Sequence, residues 1–149
     1  MTAPNPLPSL FGRFTAIFQD HEHLAKTLRR LREMCSALDA GQALLPPDLA
    51  PDVLIADLRR DLVAHFASED SAEYFGVVIE EQPSLIPQID GLKWEHTTML
   101  HAVDGLAQLA KDHGRWLHLP APTRELVAGL ERHERSESSL LRSLFFPKP

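Results

Sequence analysis

Prolines and glycines gather in three places along this chain: at Gly41 with Pro46, Pro47 and Pro51, from Gly76 through Pro87, and from Gly114 through Pro122. Both residue types interrupt helices, proline because it lacks an N–H and clashes with the preceding turn, glycine because ordering its backbone costs the most entropy. Between these breaks the apolar residues recur in steps of three and four, and nowhere do they alternate long enough to make a strand. The pattern predicts four helices near residues 9–39, 51–75, 87–112 and 122–145. Short connections favour antiparallel neighbours. The expected fold is therefore all-α, an up-down-up-down antiparallel four-helix bundle over residues 9–146, with a proline-rich arm over residues 1–8.

Each apolar stripe carries polar residues at one level. The first runs Phe14, Ile17, His21, Leu24, Leu28, Leu31, Cys35, Leu38, and the second Leu54, Leu58, Leu62, His65, Glu69, extending towards Ala72 and Glu73. The third runs Ile89, Leu92, His96, Met99, Val103, Leu106, Ala110, and the fourth Leu126, Leu130, His133, Glu137, Leu140, Leu144. Side chains on such a stripe face the core, so His21, His65, His96, His133, Glu69 and Glu137 point inward. His23 shares its direction with Gln19, Lys26 and Arg30, and His101 with Thr97 and Asp104, so both point outward. At a rise of about 1.5 Å per residue, His96 to Asp112 covers about 24 Å and Pro122 to Glu137 about 22 Å, which puts those donors at one height.

Two of the inward pairs share one spacing, His65 with Glu69 and His133 with Glu137. Residues four apart on a helix project side by side. Chance alone supplies about 0.6 such pairs in a chain of this composition, so placement on the buried stripe is what gives the repeat its weight. Two buried carboxylates without a compensating cation each carry a large desolvation cost, and a metal supplies that compensation. Imidazole with carboxylate suits iron, manganese or zinc, while the lack of thiolates argues against copper(I) and the modest oxygen count against calcium. Six donors exceed the four of a structural zinc site and suit two metals bridged by the carboxylates. Neither a Glu-x-x-His pair of the ferritin type nor an HExxH motif is present.

The remaining composition narrows the function classes. Cys35 is the only cysteine, which excludes an internal disulfide and a thiolate cluster and fits a reducing cytoplasm. The net charge is −6 and no basic cluster stands out, which argues against nucleic acid as a partner. Lys26, Arg29, Arg30 and Arg32 read as a solvated helix face. No apolar run approaches the roughly 20 residues that cross a bilayer, and the N-terminus lacks the basic start and apolar core of a secretory signal. His113 and His118, beside Trp116, read as exposed loop residues. Tyr74 reads as packing below the site, with an approach to the metal as the alternative, and Glu73 as a helix-end or supporting acid rather than a ligand.

In order along the chain, Asp20-His21 with Leu24, His65-Phe66 with Glu69-Asp70 and Tyr74-Phe75, Glu95-His96, and His133 with Glu137 resemble the hemerythrin-like domain of the HHE cation-binding type over roughly residues 9–145. The resemblance implies a four-helix bundle with a non-haem, oxo- or hydroxo-bridged centre of two iron ions, bridged by Glu69 and Glu137 and bound terminally by His21, His65, His96 and His133. Oxygen-carrying hemerythrins have a further histidine four residues after the third-helix ligand, where this chain has Leu100. Two six-coordinate irons need about twelve bonds, and four histidines, two bridging carboxylates and one oxygen bridge supply about ten. The expected function is binding or sensing of oxygen, peroxide, nitric oxide or iron through open metal positions. The alternatives are a di-iron enzyme that reduces peroxide or oxidises ferrous iron, and a metal-responsive protein-interaction module.

Overall fold

The computed structural model describes the backbone of residues 6–42 and 44–145, and the side chains of residues 21–42 and 44–144. The helices are α1 (Pro6–Asp39), α2 (Pro51–Glu69), α3 (Phe75–Glu81), α4 (Ile86–Ala110) and α5 (Pro120–Phe145). Among the described residues there is no strand. The four long helices are those the breaks and stripes predict. Residues 1–5 of the expected arm lie outside the described residues, and helix has already begun at Pro6. The side chains of Phe14 and Ile17 on the first stripe, and of Asp20, also lie outside them.

Helix ends follow local chemistry. Gly41 has a φ of 72°, the left-handed conformation that a Cβ disfavours. There the Gln42 N–H donates to the Ala37 carbonyl and the Gly41 N–H to the Leu38 carbonyl, which satisfies two of the open carbonyls at the end of α1. Prolines sit in the first turns of α2 and α4, where a missing N–H costs nothing. The Trp116 indole N–H donates to the Ala110 carbonyl at 2.8 Å and closes the end of α4.

The second helix differs from its expected extent of 51–75. It ends at Glu69, because the chain tightens through Ser71, whose N–H and hydroxyl both bond the Ser68 carbonyl. Glu73 thus leaves the Glu69 face and is exposed, and Glu69 is the last residue of α2 rather than a couple of turns from its end. The stretch from Gly76 was expected to be a connection, yet Phe75–Glu81 forms α3. Gly76 serves close packing here, since a Cβ on it would meet the Ala72 Cβ at 3.4 Å.

α1 packs on α2 and α5, and α4 packs on the same two helices. The buried apolar residues divide into two clusters. The larger includes Leu24, Leu31, Leu58, Leu62, Phe66, Met99, Val103 and Leu130; the smaller is Tyr74, Phe75, Val78, Ile89, Leu92, Leu140 and Leu141. On α2, α4 and α5 the polar donors stand in sequence between residues of the two clusters or at the edge of the larger one. The centre therefore lies between a main core and a small apolar cap supplied in part by α3. Arg32 with Glu131, Arg59 with Asp104 and Arg124 with Asp39 pair across helices. Exposed pairs of this kind contribute up to about 1 kcal/mol each, so the clusters carry the fold. No helix among the described residues is long and apolar enough to cross a membrane.

Leu58 is fully buried in the larger cluster and Leu44 is 89% exposed. Leu58→Ala should lower the unfolding free energy by about 2–5 kcal/mol and Leu44→Ala by less than about 0.5 kcal/mol, measured by urea denaturation of the metal-free protein.

Candidate metal centre

Each candidate donor stands where a stripe crosses one level of the fold: His21 on α1, His65 and Glu69 on α2, His96 on α4, His133 and Glu137 on α5. His21 is half-buried and the other five are buried. All six come together through a continuous chain of contacts. Nε2 of His21 lies 3.1 Å from Nε2 of His65, and Nε2 of His96 lies 3.0 Å from Nε2 of His133. Glu69 spans the two pairs, with Oε1 at 3.0 Å from His65 Nε2 and 3.6 Å from His96 Nε2. Glu137 Oε2 is 3.6 Å from His133 Nε2, and its Oε1 accepts a hydrogen bond of 2.8 Å from the Tyr74 hydroxyl. His23 and His101 are exposed, as their helix faces predict, and His23 pairs with Asp61 at 3.1 Å. His113 and His118 are exposed as well.

Three acids stand behind the histidines. His96 Nδ1 is 2.9 Å from Asp70 Oδ1, His133 Nδ1 is 2.5 Å from Glu95 Oε2, and His21 Nδ1 is 3.7 Å from Glu134 Oε2. An Nδ1–H donated to a carboxylate leaves Nε2 as the lone-pair nitrogen, and it holds the ring in place. The rings are also held by packing: Phe66 stacks on His96 with centroids 4.0 Å apart and an interplanar angle of 9°.

Charge is what this pocket lacks room for. Burial, helped by the neighbouring imidazoles, pushes His96 down to about 3 and His21 down to about 4, so both rings are neutral at neutral pH. Burial first, and contact with Glu69 next, pushes Glu137 up to about 9, although Tyr74 and His133 pull the other way. Burial, partly offset by His65, pushes Glu134 up to about 7. Tyr74 is pushed well above its ordinary value by burial and by Glu137, so it keeps its proton.

These donors fit a cation. His96 and His133 turn their Nε2 atoms to each other at 3.0 Å while their Nδ1 atoms lie against Asp70 and Glu95, and Glu137 Oε2 is buried with no hydrogen bond. The spacings of 3.0 to 3.6 Å match donors around one ion. With bonds of about 2.1 Å, neighbouring donors lie about 3.0 Å apart at right angles and about 3.4 Å apart at the tetrahedral angle. Two groups of potential donor atoms, each within 4.8 Å of one another, are Glu69 with His96, His133 and Glu137, and His21 with His65 and Glu134. A metal there would offset the cost of the buried carboxylates. A cavity of about 150 Å³ between α1 and α2 reaches His65 from outside, and a groove of about 460 Å³ between α4 and α5 reaches Glu95.

Asp70, Glu95 and Glu134 carry no role in the sequence reading, yet each is the chain neighbour of a candidate donor. One residue along a helix turns the side chain by about 100°, so the neighbour of an inward donor faces the adjacent helix. Val127, Leu130, Glu134, Glu137 and Leu141 also form a stripe in steps of three and four beside the one followed above, and that stripe is the signal for Glu134. Tyr74 packs in the smaller apolar cluster beside the centre, as expected, and also touches the centre through Glu137.

In metal-free protein the Glu137 pKa rises on folding from 4.5 to about 9, so its contribution to stability is complete below pH 4.5 and is lost as the pH climbs towards 9. His21 and His96 fall from 6.5 to about 4 and about 3, so theirs is complete above pH 6.5 and is lost as the pH drops through those values. Calorimetry of metal-free protein should find the highest Tm between about pH 4.5 and 6.5, with a decline on both sides. Metal loading should abolish the alkaline decline; a metal-free Tm that climbs from pH 7 to 9 contradicts this electrostatic picture.

The family model described as the Hemerythrin HHE cation binding domain matches residues 14–145. No curated protein and no solved structure matches. The matched span contains every donor described above, and it covers most of the 149 residues. With a His/Glu cluster suited to a metal ion and a family match of that extent, the chain belongs to the hemerythrin HHE cation-binding domain family.

Proposed function

We propose that this chain is a non-haem di-iron protein, built as an up-down-up-down four-helix bundle, that binds or senses oxygen, peroxide, nitric oxide or iron in a reducing compartment such as the cytoplasm. One observation carries the reading: two histidine pairs, with Nε2 atoms 3.1 and 3.0 Å apart, flank two fully buried carboxylates, one of which spans both pairs. On this reading His21 and His65 would hold one iron and His96 and His133 the other, with Glu69 and Glu137 shared between the two.

Iron, when bound, would supply a one-electron redox change and, wherever the side chains leave a position open, an exchangeable coordination position. The protein's own groups do the rest. Asp70 and Glu95 accept hydrogen bonds from the Nδ1–H groups of His96 and His133 and keep Nε2 pointed inward. Leu100, one turn beyond His96, packs against the larger apolar cluster and adds no nitrogen. Phe66 and Phe75 lie nearly parallel to the His96 ring and exclude water from it. A second reading, peroxide reduction, is favoured by Tyr74, whose hydroxyl holds a proton at hydrogen-bond distance from Glu137 Oε1.

Ferrous loading without oxygen should give two iron ions per chain, and exposure to air should bring up a charge-transfer absorption band. Glu69→Ala should lose at least one of the two irons. Glu95→Ala should keep both but weaken iron binding by about 10–100-fold. A wild-type chain that takes up no iron and stays colourless ends the proposal, and peroxide turnover by loaded protein decides for the second reading.

A further inference from the structure

Glu134 is unlike the other two acids behind the histidines. Asp70 and Glu95 are 38% and 47% exposed and lie at hydrogen-bond distance from an Nδ1, 2.9 and 2.5 Å. Glu134 is only 24% exposed and its nearer oxygen is 3.7 Å from His21 Nδ1, too far for a hydrogen bond. Its Oε1 is buried and has no hydrogen-bond partner. Among the described residues no lysine or arginine pairs with it; its one ion-pair neighbour is His21. A carboxylate desolvated this far needs a compensating group, and the donors it faces are His21 and His65, with which it forms a group of potential ligand atoms within 4.8 Å.

We propose that Glu134 is itself a metal ligand on the His21–His65 side, which makes the two metal positions unequal. The inference rests on the di-iron reading above. The His21–His65 ion then has three protein donors besides the bridging carboxylates, and the His96–His133 ion has two. Leu100 occupies the place one turn beyond His96 and supplies no further donor, so an exogenous ligand binds on the His96–His133 side. Glu134 reaches this position because it follows His133 on α5: His133 faces α4 and the next residue, turned by about 100°, faces α1.

The test uses full-length protein loaded with ⁵⁷Fe and oxidised in air, with Glu134→Ala and Glu134→Gln beside the wild type. Mössbauer spectra should show two distinct iron environments in the wild type. In both variants one of the two should shift while the other stays. Titration with azide should saturate at one azide per chain in the wild type and at two in the variants, because each opens a position on the second iron. Gln keeps the size and packing of the side chain while removing its carboxylate, so it separates ligation from positioning. The proposal is overturned if both variants match the wild type, or if Glu134→Gln matches it while Glu134→Ala departs. A wild-type chain that binds fewer than two irons overturns the di-iron reading instead, and this inference with it.

Discussion

The rest of this structure depends on the burial of two carboxylates. Glu69 and Glu137 have no exposed surface, although a carboxylate is among the most expensive groups to take out of water. Among the described residues the groups that face them include imidazoles, the Tyr74 hydroxyl and each other; burial raises the pKa of Glu137, with Glu69 adding to it, and lowers those of His21 and His96, with the neighbouring imidazoles adding to it. None of these named groups is a permanent cation. A bound metal would change the balance for every member at once: carboxylates could ionise, and the opposed Nε2 atoms would gain a common partner. The same constraint explains why four helices must converge at one level, since no single helix can supply donors around an ion.

That level also divides the apolar interior. The larger cluster fills one side of the donor layer, and the smaller cluster around Tyr74, Phe75 and Val78 closes the other. α3 has only seven residues, too few to be a stable helix on its own. Its order comes from packing Phe75 and Val78 against the smaller cluster, on α4 and α5 residues. Ending α2 at Glu69 is what makes this possible, because the chain turns away at Ser71 and returns Tyr74 to hydrogen-bond Glu137. A helix continued to residue 75 would have carried Tyr74 past the site.

Much of the candidate centre is readable from periodicity. His21, His65, His96 and His133 interrupt apolar stripes, and the structure brings them together with Glu69 and Glu137 while leaving His23 and His101 outside. The exposed His113 and His118 follow equally simply from the breakers around them. Three features escape that reading for physical reasons. The end of α2 is set by side-chain and backbone bonds at Ser71, which have no periodic signature. Gly76 looks like a helix breaker, but its missing Cβ serves close packing against Ala72. Asp70, Glu95 and Glu134 lie beside the stripes, and their contacts depend on which helix happens to be the neighbour.

The sequence by itself determined the helical class, the four long segments, and the inward face that carries four histidines and two glutamates. These follow from local terms: backbone breaks, a period near 3.6 residues, and the cost of burying a charge. Its resemblance to the HHE type was equally visible, because that rests on the order of residues along the chain. Only the tertiary structure decided which histidines pair, that Glu69 spans the pairs, that Tyr74 bonds Glu137, and that α3 caps the layer. It also set Glu134 apart from Asp70 and Glu95. Those facts depend on distances between residues on different helices, and helix packing rather than sequence spacing sets such distances.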